Sequence, residues 1–419
     1  MINSKEITLI SIMLLLFVSL LCCFTSCDKD QKQDVISDCD IISSENEVIP
    51  ADVSLSDVNM ELGYGITRKL DAVGGEQIQW FTSDGNIASV DGDGNVKGVD
   101  LGECVITATN EFGRSAQCHV NVKKTCYLTF DDGPLSSCEY ILNALKETDV
   151  KATFFLCETI NLRVVKRIHD EGHLIGLHTR KNNTRHCYSD MFIYYTDLDI
   201  LNDRIEEYTG VRANIIRFPG GSSNHSADPL TMRRIINGAD DLGYRVFDWT
   251  ISTGDASIYA GYENSCHAID RLCIGKQEII LMHDKYFNSR VIRKIVPKLR
   301  SRGYVFETLD HYPEESFKLK SAYSRNNSDF PSEGVELSDN ELEIEKDASY
   351  VLAAEMTPKY STDFIVWQSS DESVVRVDKG GKVKAIGTGE AIVTARTTSG
   401  KTAQCTCRVI EKSSESIGS

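Results

Sequence analysis

Positive charge is in short supply in this 419-residue sequence: 45 Lys and Arg stand against 62 Asp and Glu, a net charge of −17. That balance excludes the electrostatic footprint of a nucleic-acid-binding protein. It also gains nothing from an anionic membrane surface. Proline is scarce, at 8, and glycine numbers only 29, which excludes a fibrous repeat. The 14 cysteines lack any regular spacing. Outside the leader the close pairs are Cys266/Cys273 and Cys405/Cys407, neither with the CxxC spacing of a zinc site. Most cysteines sit in apolar runs, where a thiol behaves as a small hydrophobe, so they read as buried thiols rather than a disulfide framework. Hydrophobic residues at 41% and charged residues at 26% are ordinary globular usage, which argues against disorder along most of the chain. The length suggests about two to four domains.

At the N-terminus Lys5 precedes the apolar run Leu9–Phe24, which ends in Phe24-Thr25-Ser26-Cys27. Charge, apolar run, small residues and then Cys is an export pattern. Residues 1–27 resemble a bacterial lipoprotein signal, which implies that Cys27 is the lipidated residue. The other reading is an uncleaved anchor, for which the run is slightly short. Both place the rest of the chain outside the cytoplasm, held to a bacterial membrane at the cell surface. Residues 28–47, polar and acidic, read as a tether.

Two stretches repeat. Trp80-Phe81-Thr82-Ser83-Asp84 matches Trp367-Gln368-Ser369-Ser370-Asp371, and Ala116-Gln117-Cys118 matches Ala403-Gln404-Cys405, both at an offset of 287. Val90-Asp91, Gly94, Val96 and Gly102 recur at Val377-Asp378, Gly381, Val383 and Gly389. Each copy reads as short alternating strands broken by Gly, Asp and Asn turns, the pattern of an all-β sandwich. Residues 48–123 and 334–411 resemble bacterial Ig-like group 2 domains, with Trp80 and Trp367 as core anchors. Such modules are surface spacers or adhesive units; the spacer reading is favoured, since neither copy offers a catalytic set.

Between them, residues 125–311 alternate strands with helices. Strands are expected at 127–130, 152–156, 174–178, 215–218, 245–251, 278–282 and 304–307. Helices are expected at 138–148, 162–171, 189–208, 231–242, 266–274 and 290–302. Alternation of this kind implies a parallel sheet. About seven strands in that length suggest a small (β/α) barrel, so the fold class is multidomain, a barrel with two Ig-like sandwiches. The polar stretch 312–333 reads as a linker and 412–419 as a tail.

Barrel chemistry sits at the C-terminal ends of strands. There stand Asp131-Asp132-Gly133-Pro134, His178-Thr179, Arg217-Phe218-Pro219-Gly220-Gly221, Asp248-Trp249 with Asp255, and Leu281-Met282-His283. Singly each has a bland reading, a turn or a structural histidine. Their order on successive strand ends makes a site. The segment resembles the polysaccharide deacetylases of carbohydrate esterase family 4, which share the NodB-homology domain. The resemblance implies a hydrolase that removes N-acetyl groups from an extracellular polysaccharide such as peptidoglycan or a chitin-like glycan. It implies Asp131 as general base held by Arg217, His283 as general acid oriented by Asp255, and the Gly220 backbone N–H as an oxyanion donor. It also implies Asp132 and His178 as ligands of a divalent metal, commonly zinc.

The family's second motif is His-(Ser/Thr)-x-x-His, and here it reads His178-Thr179-Arg180-Lys181-Asn182. Asn182 stands where the third ligand is expected, and an amide oxygen is a poor zinc ligand beside imidazole. His186 replaces it only if the loop is rebuilt. The outcomes left open are a weak or different metal site, metal-free hydrolysis, and a non-catalytic glycan-binding or adhesive protein on a degenerate barrel.

Overall fold

The computed structural model describes residues 52–157, 161–313 and 330–412. The expected leader with Cys27, the tether, most of the 312–333 linker and the end of the tail lie outside them.

The barrel is built from β1 (Ser115–Gly133), β2 (Thr153–Leu156), β3 (Leu174–Leu177), β4 (Ile215–Ile216), β5 (Arg245–Val246), β6 (Ile251–Ser252), β7 (Gln277–His283) and β8 (Tyr304–Phe306). The interleaved helices are α1 (Cys138–Glu147), α2 (Leu162–Asp170), α3 (Thr184–Cys187), α4 (Met191–Thr209), α5 (Pro229–Asp241), α6 (Tyr262–Leu272) and α7 (Asn288–Ser301). The strands order as β5-β4-β3-β2-β1-β7-β6, with parallel pairing. The segment 245–252 supplies both ends of that order. Its first residues pair with β4 and its last with β7, so one stretch of chain bridges the sheet's two edges. β8 pairs in parallel with the lower part of β1.

Alternation along the strands sorts two layers. Leu128, Phe130, Phe154, Leu156, Ile216, Ile280 and Met282 pack with the helices. Tyr127, Phe155, Ile215, Phe247 and Ile279 form a second cluster with Met60, Leu62, Ile66 and Tyr312. Both faces of these strands are buried, as expected of a parallel sheet under helices.

The same nineteen-residue β1 belongs to two units. Its first half pairs with Asn59–Gly63 and Gly102–Asn110 of the first Ig-like module, and its second half is the central barrel strand. The expected change of domain at 123–125 falls inside this strand, with no linker. Lys276 with Asp100, and Arg68 with Glu307, add ion pairs across the junction.

The second module differs by an insertion. Asn59–Gly63 and Glu341–Glu345 are offset by 282, whereas Ile78–Thr82 and Ile365–Ser369 are offset by 287. The second copy therefore carries five extra residues between those strands, and that loop meets the barrel. Arg234 of α5 donates to the carbonyls of Ser361 (2.9 Å) and Lys359 (2.7 Å), and Asn237 donates to that of Thr362 (2.9 Å). Phe364 is fully buried in the barrel's own cluster, its ring 5.1 Å from that of Tyr195. A Cβ on Gly238 would stand 2.5 Å from the Phe364 ring, so α5 needs glycine where the module enters. All ten described cysteines are buried free thiols.

Candidate active site

Each motif residue emerges from the top of a strand. Asp131 and His283 are direct partners in the β1–β7 register, which sets the two side by side. Arg217 follows β4 and His178 follows β3.

Arg217 is fully buried and uses its whole fork. Nη1 donates to Asp131 Oδ1 (2.9 Å) and Thr129 Oγ1 (2.7 Å), Nε to the Phe247 carbonyl (3.0 Å), and Nη2 to the Asp248 carbonyl (3.0 Å). Its guanidinium lies 4.2 Å from the centre of the Phe155 ring. Asp131, itself 2% exposed, balances a cation held far from water. That leaves one carboxylate oxygen to work, as a base requires.

His283 is held as an acid. Asp255 accepts from His283 Nδ1 (2.7 Å), from the His283 backbone N–H (2.7 Å) and from Asn288 Nδ2 (2.7 Å). Burial works against a charged ring here. The bond and charge of Asp255, with the nearby carboxylates of Asp131 and Asp132, outweigh it and raise the pKa of His283. Burial likewise opposes the Asp255 carboxylate, but its bonds and the His283 charge lower its pKa.

His178 and Asp132 meet, but the third expected ligand does not join them as a donor of electrons. His178 Nδ1 donates to the Arg217 carbonyl (2.9 Å), which turns Nε2 toward Asp132 Oδ1 (3.5 Å) and Asp131 Oδ2 (3.9 Å). Asn182 Nδ2 donates to that same Asp132 oxygen at 2.6 Å. Asp132, Thr179 and Asn182 all have left-handed backbone, at φ 71°, 77° and 45°. For a β-branched Thr that is a genuine outlier, and such residues cost about 1–3 kcal/mol each, the mark of a built site. Thr179 Oγ1 is buried without a hydrogen-bond partner.

These residues do not fit an ordinary zinc site. Two groups have suitable chemistry, and the third presents an N–H where a lone pair is needed. Among the described residues no cluster of three His, Cys, Asp or Glu is able to hold a metal. His186 does not repair the set. It lines a separate crevice with Phe192, Thr196 and Lys382, beside the second Ig-like module.

The loop after β4 is clamped from several sides. Gly220 and Gly221 are left-handed, at φ 77° and 80°, and a Cβ on Gly221 would lie 3.0 Å from Trp249. The Asp248 carboxylate accepts from the Ser222 N–H (2.9 Å) and hydroxyl, and Tyr188 donates to the Pro219 carbonyl (2.8 Å). Tyr188, Ser222 and Asn288 were not anticipated from the sequence. Asp284, which directly follows His283, is buried and accepts from Ser137 Oγ and the Leu135 N–H, both at 2.6 Å. A cleft of about 910 Å³ opens beside this centre, lined by Asp132, Asn182, Leu135, Leu162, Lys181 and Tyr208 among others.

A family profile described as polysaccharide deacetylase matches residues 120–247, and one described as bacterial Ig-like domain (group 2) matches 66–120 and 331–408. The putative polysaccharide deacetylase YheN of Bacillus subtilis is 33% identical over 199 residues, covering 45% of this chain and 67% of the relative. A peptidoglycan-N-acetylglucosamine deacetylase of Bacillus cereus is 32% identical over 218 residues, covering 49% and 76%. The solved catalytic domain of peptidoglycan N-acetylglucosamine deacetylase from Eubacterium rectale is 32% identical, covers 45% of this chain and 89% of that one, and superposes with a TM-score of 0.43. With its strand-end motifs, its barrel and these relatives, the chain belongs to the polysaccharide deacetylase family.

Proposed function

We propose that this chain hydrolyses N-acetyl groups on an extracellular polysaccharide, peptidoglycan or a chitin-like glycan, while anchored at the bacterial surface through its N-terminal leader. The observation that carries the reading is the pairing of Asp131 with His283 across adjacent strands, each locked by its own partner, Arg217 and Asp255. The names of the relatives, which act on N-acetylglucosamine in peptidoglycan, support the substrate class.

Asp131 takes a proton from water as its oxygen attacks the acetamide carbon. The Gly220 N–H, set by the clamped loop, holds the oxyanion. His283 then gives its proton to the sugar nitrogen, the C–N bond breaks, and acetate and a free amine leave. A carboxylate base beside an imidazole whose pKa is raised is the division of labour this needs. A divalent ion held by Asp132 and His178 would have two good donors rather than three and would bind weakly.

The Asn182–Asp132 bond favours a second reading, a glycan-binding protein on a disabled barrel. Acetate release from peptidoglycan and chitooligosaccharides, compared with Asp131→Asn and His283→Ala, separates the two. Turnover lost in both variants supports hydrolysis, and binding without release supports the second reading.

A further inference from the structure

The helix α4 meets the second Ig-like module along one stripe and the candidate site along another. Phe192 and Asp199 lie two turns apart with Tyr195 between them, and all three touch the module. Phe192 packs against both the barrel core and the module core. The Phe364 ring lies 5.1 Å from that of Tyr195 and 6.3 Å from that of Phe192. Lys379 of the module pairs with Asp199 at 2.6 Å, its Nζ 5.1 Å from the centre of the Tyr244 ring. The second stripe runs through Asp197, Arg204 and Tyr208, and the last two line the cleft beside Asp132 and Asn182.

Apolar packing does not account for Asp197. It is 7% exposed, and a carboxylate taken from water needs strong partners in return. Its Oδ2 accepts from the Arg180 backbone N–H at 2.6 Å, and its Oδ1 lies 3.8 Å from Arg180 Nε. That bond ties α4 to the loop that brings His178 and Asn182 to Asp132. The loop holds Thr179 and Asn182 in left-handed backbone, a shape that persists only where the surroundings enforce it. Arg180 also lines both the site cleft and the crevice under the module, so it stands where the two meet.

We propose that Asp197 is a positioning residue for the His178–Asn182 loop, and that the docked second Ig-like module braces this loop through α4. The module is then a working part of the site rather than a spacer alone. The effect on rate rests on the deacetylase reading, but the effect on the loop does not.

The first test is amide hydrogen exchange at Arg180, in full-length variants that urea denaturation shows to be folded. Asp197→Ala should speed that exchange at least about tenfold, the effect of losing a hydrogen bond to a charged group. Asp197→Asn keeps an acceptor oxygen and should bring it back to within about threefold of the wild type. Phe364→Ala, which loosens the module's hold on α4, should speed it about threefold or more. Exchange at Arg180 unmoved by Asp197→Ala or by Phe364→Ala would overturn the brace, and so would an Asn variant as fast as the Ala variant. The second test is acetate release from chitohexaose. Asp197→Ala should lower kcat about tenfold with KM changed less than about twofold, and Asp197→Asn should recover most of the loss. Faster exchange in a variant whose kcat stays at the wild-type value would overturn the positioning role. Faster exchange in both variants, with no acetate released by the wild type, keeps the brace and retires the deacetylase reading. Acetate release with Arg180 exchange unmoved in both does the reverse.

Discussion

Asp131→Asn tests the electrostatics of the site before any substrate is added. Arg217 is fully buried and Asp131 nearly so, at 2.9 Å. Removing one member of such a pair costs about 3–5 kcal/mol, because the remaining charge stays buried without its counter-ion. Asn keeps an acceptor oxygen for Nη1, and the guanidinium retains Thr129, two carbonyls and the Phe155 face. The expected loss is therefore about 3 kcal/mol, the low end of that range. Arg217→Met, which strands the carboxylate instead, belongs at about 4–5 kcal/mol. The double variant should cost less than the sum by a coupling of about 2–3 kcal/mol in a double-mutant cycle read by urea denaturation. If Asp131→Asn cost under about 0.5 kcal/mol, or the two changes simply added, Arg217 and Asp131 would not be a coupled pair and the assignment of Arg217 as the residue that holds the base would fail.

Because His283 must be protonated to act, kcat/KM should fall as pH rises through its raised pKa, giving an alkaline limb above the usual histidine value of about 6.5. Asp255→Asn should move that limb downward, and a limb that stays put in a pH–rate profile removes His283 as the acid. Isothermal titration should find weak zinc binding in the wild type and a gain on the order of a hundredfold in Asn182→His, which restores a third good ligand; tight binding by the wild type would refute this. Phe364→Ala should cost about 3–5 kcal/mol by opening a cavity between barrel and second module, seen as a lower melting temperature and faster cleavage of that module. A change below about 1 kcal/mol would mean the insertion merely touches the barrel.

Much of this was legible in the sequence because function gathers where apolar runs stop. Asp131, Arg217, Asp255 and His283 each follow such a run, and their positions at strand ends are what the barrel predicts. The supporting clamps were not legible. Asn288, Tyr188 and Ser222 are single polar residues with no period, and only the fold brings them to Asp255, Pro219 and Asp248. The junction at 123–125 misled for a different reason. Burial changes there from alternating to continuous, which reads as a change of domain, yet the backbone stays one strand. The docking of the second module hides in an offset that shifts from 282 to 287, visible only once strands are paired.

The central claim is tested most directly by acetate and free amine released from peptidoglycan and chitohexaose, with chelator and with added divalent ion. The wild type should release both in equal amounts, and Asp131→Asn and His283→Ala should each fall at least about a hundredfold. Release by the wild type no greater than by those variants, under either condition, would contradict hydrolysis and leave the barrel as a glycan-binding fold.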